Sequence, residues 1–284
     1  VPVRIHTFTG QRWATLTGIK RKILKAIDRI IVMLNTKVYS DSKSQNEYLE
    51  KEKIVKKGDI SCLHRGSFGG IDVGRFNSSL KNDKGFKNLK IPKESIVLLY
   101  LGRVVKDKGL EELLKAFQEI SNIRKDIYLL IVGPDERTLD PLSFQAYELM
   151  TENNKVKVIG STVVPENYIA LADVLCLPSY REGFGTVVLE AAAMGVPAIG
   201  TCIPGLVDSI IHAETGLLVK EKSVDELKNA ILTLCNDEAL RLMLGASAKK
   251  RVLKDFDYKL LAKKQWDEYE LLMRKFNSRN TNVG

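Results

Sequence analysis

The pattern of apolar and polar positions divides the chain at about residue 96. Beyond that point, short continuous apolar runs alternate with stretches in which apolar residues recur at helical spacing. Such runs are typical of buried parallel strands, so the alternation predicts a doubly wound α/β sheet. The predicted strands cover residues 96–101, 127–132, 156–159, 174–177, 198–200 and 216–219. The predicted helices cover residues 109–120, 142–151, 166–172, 186–194, 206–212, 224–235, 238–251 and 258–276.

The residues before this point give a less regular pattern. Residues 2–10 indicate a strand that runs into a loop, and apolar residues at helical spacing, such as Ile19, Ile23 and Ile27, predict an amphipathic helix over residues 17–35. Further predicted elements are a strand at 37–39, a helix at 42–53, a strand at 60–63 and a polar loop at 81–92.

Length and composition indicate a folded protein. With 284 residues and 44 % hydrophobic content, the chain can bury a full core as one large domain or two small ones. No apolar run reaches the roughly 18 residues of a membrane-spanning helix, and no signal-peptide pattern opens the chain, which predicts a cytosolic protein. The four cysteines lack the paired spacing of a zinc site, which favours free, buried thiols and predicts no bound metal.

The net charge of +9 is concentrated at one end of the chain. Residues 1–57 hold thirteen Lys or Arg and only five Asp or Glu. The basic helix at 17–35 therefore has two interpretations: it packs its apolar side on a core, which we favour, or it contacts an anionic membrane surface, and one helix can do both. No basic patch interleaved with aromatic residues accompanies the charge, so we expect no binding of nucleic acid.

Two glutamates eight residues apart, Glu182 and Glu190, flank a glycine pair that opens a predicted helix. Glu182 follows the strand at 174–177, so it lies at the carboxyl edge of the sheet, where ligands of open α/β sheets bind. The free amides at the start of the helix attract phosphate. Glu190 lies one turn into the helix among apolar residues, where it can accept hydrogen bonds from hydroxyls such as a ribose diol. We interpret this stretch as a sugar-nucleotide site.

Two cations are predicted at the same edge of the sheet. Arg103 and Lys108 lie in the loop between the strand at 96–101 and the next helix. Arg offers planar, bidentate geometry and Lys a mobile point charge, a pair that suits phosphate oxygens. Charged loops are common after strands, but the combination with the two glutamates predicts a diphosphate site.

Together, these motifs resemble the retaining glycosyltransferases of GT-B fold in family 4, which transfer sugars from nucleotide diphosphate donors. The match covers most of residues 61–276. It is carried by G-R-x-x-x-x-K-G at 102–109, E-G-F-G-x-x-x-x-E at 182–190, Gly205, T-G-L-L-V at 215–219 and G-S-x-x-G-I-D at 66–72. The last of these resembles the linker of bacterial capsule and O-antigen members. The sequence departs from the family pattern at Gly69 and Cys202.

The resemblance implies roles for these residues. Arg103 and Lys108 would hold the diphosphate, Glu190 the ribose and Glu182 the transferred sugar, while His6 would reach toward that sugar from the acceptor side. Backbone amides after Glu182 would face sugar or phosphate. The implied donor-binding residues are Arg103, Lys108, Glu182, Gly183, Phe184, Gly185, Thr186 and Glu190, and the implied catalytic residues are Glu182, His6, Arg103 and Lys108.

The resemblance also implies a domain organisation. Residues 1–75 would be the remainder of an N-terminal Rossmann-like, acceptor-side domain and its linker, and residues 76–255 a Rossmann-like donor-binding domain. Residues 256–284 would form a helix that crosses back to the first domain. Family members carry a glycine-rich loop upstream of the position of His6, so we expect an N-terminal truncation.

The implied activity is transfer with retention of configuration and without a metal or cofactor. The donor would be a UDP or GDP sugar, and the acceptor a saccharide that the resemblance allows to be linked to a polyprenyl diphosphate on the inner face of the cell membrane. Two alternatives remain: a fragment that binds a nucleotide sugar without catalysis, and a dinucleotide-dependent oxidoreductase. The second is disfavoured because Thr186, Val187 and Val188 follow the glycine pair, which breaks the G-x-G-x-x-G pattern.

Overall fold

The chain forms two parallel sheets with helices between and around them. The computed structural model describes residues 3–78, 83–136, 138 and 140–281. The smaller sheet has the order β1-β2-β3, and its strands are Ile5–Phe8, Lys37–Ser40 and Ile60–Cys62. The larger sheet has the order β6-β5-β4-β7-β8-β9, and its strands are β4 (Ile96–Leu101), β5 (Ile127–Val132), β6 (Val156–Gly160), β7 (Val174–Leu177), β8 (Ala198–Thr201) and β9 (Gly216–Val219).

Helices follow most of the strands, as expected for parallel crossovers. Several of them start at a side-chain cap: Ser42, Ser143, Ser223 and Asp237 each accept a hydrogen bond from the amide three residues on. The helices are α1 (Gly18–Leu34), α2 (Lys43–Lys51), α3 (Asp83–Leu89), α4 (Leu110–Ile123), α5 (Phe144–Glu152), α6 (Glu166–Ile169), α7 (Thr186–Ala193), α8 (Leu206–Ser209), α9 (Val224–Asn236), α10 (Glu238–Asp255) and α11 (Tyr258–Thr281).

The larger sheet is buried on both faces. Alternate residues of β4 enter different cores: Leu99 packs with Leu130 and Leu175 on one face, while Leu98 packs with Leu129 on the other. These side chains are fully buried, which explains why the strands are continuous apolar runs in the sequence. The smaller sheet packs α1 and α2 against a separate core.

The order of the strands creates a switch point between β4 and β7. The chain moves outward from β4 through β5 to β6, and then returns to the other side of β4 to build β7, β8 and β9. The carboxyl ends of β4 and β7 therefore lie side by side, and the crevice above such a switch point is where ligands bind in open α/β sheets.

The unit formed by residues 3–62, called here the N-terminal unit, presses against the larger sheet at the glycines of the E-G-F-G stretch. A Cβ on Gly183 would lie 2.0 Å from the carbonyl oxygen of Thr9, and one on Gly10 would lie 3.3 Å from the Gly183 amide nitrogen. Ser44 adds a polar contact, because its amide donates to Asp208 over 3.0 Å and its hydroxyl accepts from the Gly205 amide over 2.8 Å.

The last helix contacts the N-terminal unit as well. The hydroxyl of Tyr39 on β2 donates to Glu268 on α11 over 2.8 Å. The Gln265 amide donates to the carbonyl of Phe68, which follows the N-terminal unit in the chain, over 2.5 Å. The boundaries of the predicted domains at 75 and 255 stay a prediction.

The predicted elements agree with the structure except at a few boundaries and in one segment. The polar stretch at 81–92 was expected to be a loop, but the structure has α3 there; residues 81 and 82 lie outside the described part. Phe86 and Leu89 explain the difference, since they lie three residues apart and pack against the core of the larger sheet. All four cysteines are free as predicted, but only Cys176 and Cys235 are buried.

The close approach at Gly183 gives a prediction for stability. We expect Gly183→Ala to destabilise the protein by about 1–3 kcal/mol, because the added methyl group has to displace the Thr9 carbonyl. Gly69→Ala is the matched control, since a Cβ there meets nothing within 4 Å. Urea denaturation measures both variants, and equal stability of the two would contradict the packing described here.

Candidate active site

The loops after β4 and β7 touch each other at the switch point. Gly109 ends the β4 loop with a φ of +68°, and a Cβ at this position would lie 1.9 Å from the carbonyl oxygen of Pro178 in the β7 loop. The position therefore requires glycine for both its backbone conformation and its space. The contact fixes the two loops relative to each other, and with them the charged side chains that they carry.

Lys108 and Glu182 form the central contact of the site. The Lys108 Nζ lies 2.5 Å from the Glu182 Oε1, and both side chains are largely buried. The Ser179 hydroxyl donates to the same carboxylate oxygen over 2.8 Å. Glu182 is thus held from two sides, while the ammonium group of Lys108 has two further hydrogens that it can donate to a ligand.

Arg103 lies in the same β4 loop and pairs with a different acid. Its guanidinium donates to Glu136 in the β5 loop over 2.9 Å, and this hydrogen bond raises the pKa of Arg103. The side chain remains about two-fifths exposed, so it is accessible from solvent. Five N–H donors allow a guanidinium to bind phosphate while it keeps one carboxylate.

A cleft of about 790 Å³ opens beside these residues, between the N-terminal unit and the loops of the larger sheet. We call it the rim cleft; Gly10, Arg12, Arg103, Lys106, Asp107, Asp140, Tyr180, Arg181 and Lys222 are among its lining residues. Arg181 pairs with Asp107 over 2.6 Å. The cleft therefore joins the β4 and β7 loops to the turn after β1.

A second cleft, of about 410 Å³, lies against the N-terminal unit and is called here the Gln11 cleft. Its wall includes Arg21 and Tyr48 on one side and Tyr180 and Glu182 on the other. Gln11 is 5 % exposed, and its side-chain nitrogen has no hydrogen-bond partner within the described residues. A buried amide donor without a partner is costly, and a polar ligand in the cleft would satisfy it.

The glycine pair shapes the entrance to α7. Gly185 has a φ of +77° and lies directly before the helix, so the chain turns there and directs the first amides of α7 to the carboxyl edge of the sheet. Phe184 contributes its backbone at this edge, while its ring is buried against Phe256 at 5.5 Å between ring centroids. Thr186 is exposed at the first position of the helix.

Glu190 lies in a different environment from Glu182. Burial raises its pKa, the positive charge of Arg75 opposes this shift, and the negative charge of Glu166 adds to it. Arg75 in turn donates to Glu166 over 2.7 Å. Glu190 therefore belongs to a second charged cluster beside α6 and the 66–78 linker, and it does not line either of the two clefts described here.

His6 is not among the residues that line the rim cleft. It is on β1, where side chains alternate between faces, and it packs edge-on against Phe8 with 4.6 Å between ring centroids. Phe8 points into the core of the N-terminal unit. The residues from this strand that reach the Glu182 loop are Thr9 and Gly10. Of the predicted catalytic set, the structure brings Lys108 and Glu182 into contact, places Arg103 in the adjoining cleft and leaves His6 apart.

Several side chains of the site were missed in the sequence. Glu136, Arg75 and Glu166 are separated from their partners by 30 residues or more, so no local spacing reveals the pairs. Arg181 is the missed residue that the sequence could have revealed, because it directly precedes Glu182 and therefore lies at the same edge of the sheet. Among the described residues, no group of three or more His, Cys, Asp or Glu side chains is arranged to hold a metal ion; independence from metal remains a prediction.

Two parallel α/β units that face each other across a cleft are typical of the GT-B fold of glycosyltransferases. A solved structure of Anabaena HepE in complex with UDP and glucose matches 94 % of this chain and 71 % of its own, with a TM-score of 0.79 at 17 % identity. The family model described as glycosyl transferases group 1 matches residues 81–251. The chain belongs to this family.

Named relatives support the same family. The capsular polysaccharide biosynthesis glycosyltransferase CapM of Staphylococcus aureus is 32 % identical over 276 residues, which are 97 % of this chain and 71 % of that protein. The N,N'-diacetylbacillosaminyl-diphospho-undecaprenol alpha-1,3-N-acetylgalactosaminyltransferase of Campylobacter jejuni is 31 % identical over 72 % of this chain and 53 % of its own length. The chain thus spans between about half and seven-tenths of these relatives.

The raised pKa of Glu190 gives a second prediction. When a carboxyl group has a higher pKa in the folded than in the unfolded state, the folded protein loses stability as the pH rises through the folded-state pKa. We therefore expect Glu190→Gln to be more stable than the wild type at pH 7, and the gain to shrink below about pH 4, the ordinary Glu range. Thermal denaturation at both pH values measures it.

The exposed Glu148 provides the control for this experiment, because Glu148→Gln removes the same charge from the surface of α5. Its stability should change by less than about 0.5 kcal/mol. An unchanged or lower melting temperature of Glu190→Gln at pH 7 would show that burial does not penalise the Glu190 charge.

Proposed function

We propose that the protein transfers a sugar from a UDP or GDP sugar to a hydroxyl of a saccharide acceptor, with retention of configuration. The observation that carries this proposal is the Lys108–Glu182 contact at the β4–β7 switch point, inside the region that matches the group 1 glycosyl transferases. A cation for the diphosphate and a carboxylate for the sugar lie 2.5 Å apart, as two adjoining parts of one donor require.

In this proposal, the donor lies along the carboxyl edge of the larger sheet. Arg103 and Lys108 bind the diphosphate together with the first amides of α7, while Glu182 accepts hydrogen bonds from the sugar hydroxyls. Glu190 accepts from the ribose. Arg75 and Glu166 next to it set the local charge, so that a neutral diol is preferred over a second anion.

The transfer step needs no protein nucleophile. The bond between the anomeric carbon and the diphosphate oxygen breaks, and its electron pair leaves with the diphosphate. The acceptor hydroxyl forms the new bond on the same face and releases its proton to the departing phosphate oxygen. Arg103 and Lys108 stabilise the charge that develops on the leaving group, an electrostatic contribution that is greatest in a site closed to water.

We further propose that the acceptor enters through the Gln11 cleft. Glu182 lines this cleft from the donor side and Gln11 from the N-terminal unit, so an acceptor hydroxyl bound there lies next to the donor sugar. The side-chain nitrogen of Gln11, which has no hydrogen-bond partner among the described residues, supplies a donor for an acceptor oxygen. The names of CapM and of the Campylobacter enzyme point to surface polysaccharide synthesis and to an acceptor on a polyprenyl diphosphate.

A polyprenyl-linked acceptor places the reaction at a membrane, and α1 has the surface for it. No described helix is long and apolar enough to cross a bilayer. On α1, however, Ile19, Ile23, Ile27 and Ile30 are between 45 % and 69 % exposed, and they form one stripe at helical spacing. We propose that this stripe inserts into the cytoplasmic leaflet, while neighbouring Lys and Arg side chains contact anionic headgroups.

The donor site is tested by titration with UDP and GDP. We expect Arg103→Ala and Lys108→Ala each to weaken the preferred nucleotide by about tenfold or more, and the double variant by about a hundredfold, because each removes a charge-assisted hydrogen bond to phosphate. Glu190→Ala should weaken it by about tenfold through the ribose. Calorimetry gives the dissociation constants of these four variants and of the wild type.

Matched controls come from ion pairs elsewhere. Arg124 pairs with Asp126 and Lys228 with Glu119, both over 2.6 Å, so Arg124→Ala and Lys228→Ala remove the same groups from similar pairs on the surface. Their nucleotide affinity should equal that of the wild type. If the Arg103 and Lys108 variants bind UDP and GDP with the same affinity as these controls, the proposed donor site is wrong.

The membrane proposal is tested with vesicles. We expect the wild type to co-sediment with phosphatidylglycerol vesicles at low salt and less at high salt, and the variant Ile19→Asp/Ile23→Asp to lose this binding. Leu242→Asp is the control, because Leu242 is equally exposed, at 61 %, on α10. Vesicle binding that is unaffected by the α1 variant would exclude α1 as the contact.

A further inference from the structure

Three cations of the rim cleft have no carboxylate partner among the residues that the structure describes. Arg103 and Arg181 in this cleft are each paired with an acid. In contrast, the side chains of Arg12, Lys106 and Lys222 make no hydrogen bond or ion pair within the part of the chain that the structure describes, and all three residues are exposed. They come from the turn after β1, the turn after β4 and the loop after β9, so three separate segments converge on one cleft.

The acids that face the same cleft do not balance these charges. Asp107 is engaged by the guanidinium of Arg181 over 2.6 Å. Asp140 accepts a hydrogen bond from the backbone amide of Asp107 over 2.7 Å. The lining residues of the rim cleft thus include five cations and two carboxylates. Such a surplus in a concave site favours an anionic ligand.

Lys222 is held in a conformation that lysine rarely adopts. Its φ is +60°, in the left-handed region, where glycine is the favoured residue. Its ammonium lies 4.8 Å from the centre of the Tyr180 ring, and the Tyr180 hydroxyl is fixed by a 2.6 Å hydrogen bond to Glu112. A strained backbone that presents a positioned charge at a cleft indicates a functional role.

The position of Lys222 indicates that the three cations Arg12, Lys106 and Lys222 contact the acceptor rather than the donor. Lys222 lines both the rim cleft and the Gln11 cleft, as do Thr15, Leu16, Tyr180 and Arg181. Its loop follows β9, which is separated from β7 by a whole strand. Arg12 belongs to the N-terminal unit. Lys222 therefore lies where the two clefts adjoin, and Arg12 reaches the rim cleft from the N-terminal unit. Lys106 lines the rim cleft from the β4 loop, which also carries the proposed donor cations.

We propose that Arg12, Lys106 and Lys222 form a second anion site, which binds a phosphate or diphosphate group carried by the acceptor. This inference rests on the proposed function and adds the residues that bind the charged group of the acceptor. The charge of the acceptor is neutralised where the two clefts adjoin, and its hydroxyl extends into the Gln11 cleft toward Glu182. The exposed stripe of α1 begins two residues after Thr17, which also lines the Gln11 cleft.

The test uses Lys222→Gly, because glycine accepts the positive φ and the variant should fold at least as well as the wild type. Lys90→Gly is the matched control, since Lys90 is an exposed lysine with a φ of +53° outside both clefts. Each protein is saturated with the nucleoside diphosphate that it binds, and inorganic pyrophosphate is then titrated by calorimetry. We expect Lys222→Gly to weaken pyrophosphate by about tenfold and Lys90→Gly to leave it unchanged.

The nucleotide titration separates this inference from the donor site. Unchanged nucleotide affinity in Lys222→Gly, with weaker pyrophosphate binding, supports a second anion site. Equal losses for both ligands, or equal pyrophosphate affinity in the two glycine variants, would overturn it. If the wild type binds no nucleotide, the proposed function fails, and the same comparison with pyrophosphate alone decides whether Lys222 binds an anion.

A further arm identifies the source of the anion. Farnesyl diphosphate is titrated in the same way as pyrophosphate. If it binds more tightly than pyrophosphate and Lys222→Gly weakens both probes by the same factor, the anion belongs to a prenyl lipid. Equal affinity of the two probes, again with that loss, assigns it to a diphosphate without a lipid contact.

Discussion

The site depends on the contact between the loops that leave β4 and β7. Gly109 lets the two loops touch, and the Lys108–Glu182 ion pair joins them with 2.5 Å between charged atoms. Both side chains are largely buried, and a buried charge without its partner is strongly destabilising. The pair therefore fixes a carboxylate and a cation side by side, which is the arrangement that a sugar joined to a diphosphate needs.

The N-terminal unit completes the site from the opposite side. Thr9 and Gly10 press against Gly183, and Ser44 contacts the loop before α8, so the wall formed by the N-terminal unit is positioned by the same E-G-F-G stretch that carries Glu182. The clefts on either side of this contact differ in charge. The rim cleft has a surplus of cations. The Gln11 cleft is lined by Glu182 and by Gln11, whose side-chain nitrogen has no hydrogen-bond partner among the described residues.

The sequence predicted the larger sheet well, because strands buried on both faces are continuous apolar runs, such as residues 127–132 and 174–177. It also predicted that Lys108 and Glu182 share an edge, since both follow such strands. Pairs that form between distant loops, such as Arg103–Glu136, carry no local signal. The orientation of His6 was not predictable either, because it depends on which face of β1 is covered. The helix α3 was missed since only two apolar side chains anchor it.

The central claim is that one edge of the larger sheet binds the whole donor. A crystal structure of the protein with its preferred nucleoside diphosphate tests this claim most directly. The account predicts diphosphate oxygens within hydrogen-bonding distance of Arg103 and Lys108, and ribose hydroxyls within the same distance of Glu190. A nucleotide bound elsewhere, with these three side chains out of reach, would contradict it.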